Sequence, residues 1–113
     1  MYEYKVKDII RVIDGDTVEI IVDLGFDVYK KATIRLWGIN TPEIRTRDPE
    51  EKAKGILAKN FTINAFENSL NITITTKKDK TGSFNRMLGT FIVDGVNLNE
   101  LLVLSGHALR FKP

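Results

Sequence analysis

The chain has 113 residues, 42% hydrophobic and 28% charged, with a net charge of +2, which is the composition of a single soluble globular domain spanning 1–113. The absence of cysteine excludes disulfides and thiolate metal sites, and a lone histidine, His107, excludes HExxH-type zinc centres. Any metal is therefore held by oxygen, which favours calcium or magnesium, and the mildly basic pI near 8.9 permits an acidic partner such as nucleic acid without requiring one.

The N-terminal residues Met1 to Lys5 contain no apolar signal core, and no run reaches membrane-spanning length. The expectation is a cytoplasmic chain with no membrane partner, or one whose leader has been removed. Lys5 to Ile13 forms a first strand that stops at Asp14-Gly15, a pair suited to a type I′ hairpin turn. In the second strand, Asp16 to Leu24, Val18, Ile20, Val22 and Leu24 share one face. Asp16 has the parity of that face, so its carboxylate should point across the mouth of the core. Gly25-Phe26-Asp27 turns the chain into a third strand, Val28 to Ile39.

A break at Gly38 leads to Asn40-Thr41-Pro42-Glu43, where Pro42 restricts both itself and Thr41. Beyond a basic loop at Arg45 and Arg47, helix-start signals coincide. Asp48 fits the N-cap, Pro49 fits N1, and Glu51 fits the reach-back position of a capping box. The helix should run to about Asn68, burying Ala53, Leu57, Phe61 and Ala65 with Ile56, Ile63 and Phe66, and accommodating Gly55 for packing. Leu70 to Thr76 and Met87 to Val93 read as the fourth and fifth strands, joined by a basic loop through Lys80, Phe84 and Arg86. A turn at Asp94-Gly95 precedes a short helix, Asn97 to Ser105, that ends at Gly106. Five strands with a long helix after the third form the order of an OB-type barrel, mainly β with added α.

Individually, these polar residues have plain explanations. Asp14 suits a turn, Asn40 and Thr41 suit a capping turn, Arg35 suits a salt bridge, and Arg86 suits solvent. Asp16 is the hardest to dismiss, because an inward carboxylate is costly unless paired or bound to metal. Together, Ile13-Asp14-Gly15-Asp16-Thr17-Val18, Arg35-Leu36 with Asn40-Thr41-Pro42-Glu43, and Phe84-Asn85-Arg86 before a strand resemble the thermonuclease family, the staphylococcal-nuclease-like domains. The resemblance implies an OB-type barrel that hydrolyses DNA and RNA with one calcium ion and little sequence preference. By position, Asp16, Asn40 and the Thr41 carbonyl match the metal side. Glu43 matches the glutamate that handles the attacking water, and Arg35 and Arg86 match the phosphate-binding arginines. Phe84 and Lys80 are the substrate contacts expected from the loop.

The sequence departs from the family at three places. Asn40 stands where aspartate is usual, which removes one formal charge from the metal side. Phe84 keeps an aromatic face but lacks the phenolic hydroxyl. The chain given ends at Arg110-Phe111-Lys112-Pro113, before the tyrosine-bearing segment and helix of many relatives. The expected partner is nucleic acid, single-stranded or locally opened, and the expected state is a monomer or weak homodimer. The alternative is a non-catalytic nucleic-acid-binding barrel. Asn40 favours that alternative, and the combination of Arg35, Glu43 and Arg86 opposes it.

Overall fold

The computed structural model describes residues 2–78 and 86–111, with the side chains of Lys78 and Arg86 outside that description. Strands β1 (Tyr2–Asp14), β2 (Thr17–Asp23) and β3 (Tyr29–Leu36) form an antiparallel meander. A two-residue strand β4 (Ile39–Asn40) and helix α1 (Pro49–Glu67) precede β5 (Ile72–Lys78) and β6 (Arg86–Val93). The chain ends with β7 (Val96–Asn97), α2 (Leu98–Leu104) and β8 (Leu109–Arg110). The sheet order β3-β2-β1-β5-β6-β7 closes through an additional parallel pairing of β3 with β6. The expected five-stranded barrel is thus formed by β1, β2, β3, β5 and β6, and its closure removes the sheet edges that open strands would leave.

Alternation in the sequence becomes alternation of burial. Val18, Ile20 and Val22 of β2 and Ala32, Ile34 and Leu36 of β3 are buried, and the residues between them are partly or fully exposed. Ile74, Phe91, Leu98 and Leu102 complete the core, with Phe66 of α1 set edge-on to Phe91 at 5.1 Å between ring centroids. Among the described residues, no helix is long and apolar enough to cross a membrane.

Three local expectations change. The turn after β1 is not type I′, since neither Gly15 nor Asp16 has a positive φ. The register instead pairs Asp14 with Thr17 after an irregularity, and Gly15 supplies room: a Cβ there would lie 3.0 Å from Ala58. The helix cap forms through Asp48 Oδ1, which accepts from Glu50 N–H at 3.0 Å. The Asp48 N–H, however, donates to Thr46 Oγ1 at 3.2 Å and not to Glu51. Finally, the buried face of α1 is Gly55, Ala58, Thr62 and Phe66, whereas Ala53, Ile56 and Leu57 are exposed. Space decides that rotation. A Cβ on Gly55 would lie 2.8 Å from the Pro42 carbonyl oxygen, and the Thr62 hydroxyl donates to the Gly15 carbonyl at 2.9 Å.

A single buried amide fastens α2 to the barrel closure. Asn99 accepts from Phe91 N–H at 3.2 Å and donates to the carbonyls of Trp37 and Gly89, each at 3.0 Å. Replacing Asn99 by leucine leaves buried backbone groups without partners, each costing about 1–3 kcal/mol. The expected result is a stability loss of about 3 kcal/mol in urea unfolding. Gly55→Ala should destabilise by about 1–3 kcal/mol through overpacking, although alanine favours an isolated helix by about 1 kcal/mol. A Gly55→Ala chain at least as stable as its parent would show that the Pro42–Glu43 turn moves aside freely.

Candidate active site

Pairing of Thr17 with Arg35 in the β2–β3 ladder places the start of β2 beside the end of β3, and Leu36 N–H donates to the Asp16 carbonyl at 2.8 Å. Asp16 is 7% exposed, so its carboxylate needs compensating donors. Oδ2 accepts from Thr41 N–H at 3.0 Å and pairs with Arg35 Nη1 at 2.9 Å, while Oδ1 accepts from Thr17 Oγ1 at 3.1 Å. The other guanidinium nitrogen, Arg35 Nη2, donates to Asn40 Oδ1. One charged group therefore clasps the Asp16 carboxylate and the Asn40 amide together.

The segment between Arg35 and Glu43 is fixed from several sides. Gly38 adopts φ of 79°, which reverses the strand at little steric cost. Ile39 is buried, and the β4–β8 ladder pairs Ile39 with Arg110 and Asn40 with Leu109. Phe111 N–H reaches back to the Gly38 carbonyl at 2.8 Å. Arg110 makes a two-point pair with Glu100 of α2 at 2.7 and 3.0 Å, and that hydrogen bonding holds the Glu100 carboxyl below its usual range. Thr41 is buried, and among the described residues its hydroxyl is the buried side-chain oxygen without a hydrogen-bond partner. Glu43 is exposed on a turn whose backbone lies against Gly55. His107 packs against Phe61 at 4.8 Å between ring centroids and lines a cavity shared with Asn40 and Thr41.

Asp16, Arg35, Asn40 and Thr41 converge in space, and Glu43 lies at the exposed end of the same turn. Arg86 begins β6, its backbone paired with Thr33 two positions before Arg35, and its side chain lies outside the described residues. Phe84 and Lys80 also lie outside them. Among the described residues, no three acidic or histidine side chains converge as metal ligands. The oxygens that could hold a cation here are the Asp16 carboxylate, the Asn40 amide and the Thr41 carbonyl, which are hard donors.

Two supporting residues escaped the sequence reading. Thr62 and Asn99 are polar residues at helix positions facing the core, which is the signal that could have found them. Gly55 was assigned to packing, but its neighbour, the Pro42–Glu43 turn, emerges only from the fold.

Comparisons with known proteins bear on the family of the chain. The chain is 32% identical over 105 residues to an uncharacterized endonuclease of Escherichia coli O157:H7, covering 88% of this chain and 57% of that protein. It is 30% identical to an uncharacterized protein of Methanocaldococcus jannaschii, covering 95% of this chain and 59% of that protein. The chain thus spans somewhat more than half the length of each relative. Residues 33–112, from the middle of β3 through the C-terminal segment, match the family described as staphylococcal nuclease homologue. The chain belongs to that family.

Proposed function

We propose that this chain is a calcium-dependent nuclease that hydrolyses phosphodiester bonds of DNA and RNA with little sequence preference, acting on single-stranded or locally opened substrate. The observation that carries this reading is the convergence of Asp16, Arg35, Asn40 and Thr41 beside an exposed Glu43. The E. coli relative is named an endonuclease, and family membership supports extending that reaction class to this chain.

The residues fit a hard divalent cation. The Asp16 carboxylate, Asn40 Oδ1 and the Thr41 carbonyl are oxygen donors of the kind calcium takes, and the orphaned Thr41 hydroxyl adds an unsatisfied oxygen nearby. When bound, calcium supplies Lewis-acid stabilisation of the phosphate charge. Arg35 exchanges its hold on Asp16 and Asn40 for a phosphate oxygen, where its planar fork matches the anion. Glu43 orients a water and accepts its proton as the water oxygen attacks phosphorus and the ester P–O bond breaks, the leaving oxygen taking a proton from solvent to depart as an alcohol. Arg86 neutralises charge that develops on the phosphoryl oxygens. Little base discrimination is expected, because all of these groups address phosphate and none addresses a base edge. The domain is read as a monomer or weak homodimer.

A second reading, a nucleic-acid-binding barrel without turnover, is favoured by one observation. Arg35 engages both Asp16 and the neutral Asn40, the oxygens a cation would use.

Digestion of single-stranded DNA with calcium, and with EGTA in its place, separates the two. Calcium-dependent cleavage should fall about 10²–10⁴-fold in Glu43→Gln and about 10²–10³-fold in Arg35→Ala. DNA binding without cleavage in every condition would establish the binding-module reading. Asn40→Asp should lower the calcium concentration for half-maximal cleavage, since an added carboxylate raises calcium affinity. An unchanged calcium midpoint would remove Asn40 from the cation site.

A further inference from the structure

The outer face of the barrel beside Arg35 carries a pair of residues that the reaction does not use. The β3–β6 register sets Arg35 against Leu88, and the β5–β6 register sets Lys77 against the same Leu88. Arg35, Leu88 and Lys77 therefore form one row across three neighbouring strands. The row below it, Leu36, Gly89 and Thr76, faces the core and is buried. Trp37, the single tryptophan of the chain, follows at the end of β3, held by Trp37 N–H to the Gly89 carbonyl at 2.8 Å and by Asn99 at its own carbonyl. The exposed Lys77 side chain returns over this half-buried ring, with Nζ 4.2 Å from its centroid.

We infer that Trp37 and Lys77 form a base-stacking subsite in which a nucleobase of the substrate displaces the lysine from the indole face and the freed ammonium takes up a phosphate. The inference rests on the nuclease reading above, and it adds a site for the base to groups that handle only phosphate. Two residues along a strand span about 7 Å, so Trp37 stands within one nucleotide of a phosphate held by Arg35. Its backbone is anchored by β6 and α2, which gives a rigid platform at little ordering cost. Lysine over an exposed aromatic face contributes only about two- to fivefold to an equilibrium. A stacked base contributes about 5- to 150-fold, so the exchange favours the base. Every base has a π face, so the subsite adds affinity without sequence preference.

The test uses Glu43→Gln protein with calcium at low salt, titrated with the single-stranded octamer dT8 and with an abasic octamer of equal phosphate count. Fluorescence excited at the red edge, where tyrosine does not absorb, then reports on Trp37, the single tryptophan. Binding of dT8 should change the emission, and the abasic octamer should bind with the emission nearly unchanged. Adding Trp37→Ala should weaken dT8 binding about 5- to 150-fold and leave abasic binding unaltered, while Trp37→Phe, which preserves packing, should restore most of the difference. Lys77→Ala should weaken both octamers and reduce the salt dependence of binding by about one phosphate contact. Tight dT8 binding with unchanged emission and no loss in Trp37→Ala or Trp37→Phe would overturn the subsite and leave the nuclease reading standing. Failure of both octamers to bind would overturn the two together.

Discussion

Burial of the Asp16 carboxylate organises the site. An ionised group removed from water must recover its lost solvation from the protein. Here the donors come from three parts of the chain: Thr17 beside it, Arg35 at the end of β3, and the Thr41 amide beyond the strand break. Meeting that demand brings the ends of the meander into one cluster. The oxygens that satisfy Arg35 are those the proposed cation would use, so stability of the free protein and affinity for such an ion would draw on shared atoms. Such sharing is a usual mark of a functional site, where local compromise is compensated elsewhere in the fold.

Part of that compensation comes from α1. Its small inner face lets the helix approach two turns at once, the Gly15 turn through Ala58 and Thr62, and the Pro42–Glu43 turn through Gly55. Larger side chains would hold the helix farther away and leave both turns unsupported. Asn99 does comparable work on the other side, where one amide satisfies backbone groups of the β3 end and of β6. The polar side chains of Thr62 and Asn99 are tolerated in these interiors because each is hydrogen-bonded.

The elements most readable from sequence were those set by local chemistry. Asp48 and Pro49 marked the start of α1, Asp94-Gly95 adopts the left-handed φ values of 50° and 82° that suit its turn, and the alternation in β2 predicted its buried face through Val22, whereas Leu24 lies beyond the strand and is exposed. The inward parity of Asp16 was also legible, although its pairing with Arg35 was one of two compensations left open. The sequence was misleading where tertiary proximity outweighed local preference. Asp14-Gly15 has the composition of a type I′ turn, yet Gly15 is there to admit Ala58. The apolar stripe through Ala53 and Leu57 was the more hydrophobic face of α1, but the smaller face fits against the turns. The two-residue strands β4 and β8 carry no periodicity, so their pairing could come only from the fold.

The parallel contact of β3 with β6 has a bearing on when activity can exist. Hairpins between neighbouring strands form from local contacts, so Asp16 and Arg35 can meet while the remainder of the chain is still searching. Joining β3 to β6 requires segments far apart in sequence, and such contacts are slow to form because a long loop must close first. The two arginines assigned to phosphate lie on those two strands. A partly folded chain would hold one of these arginines without the other, so the proposed activity would be absent until the barrel has closed.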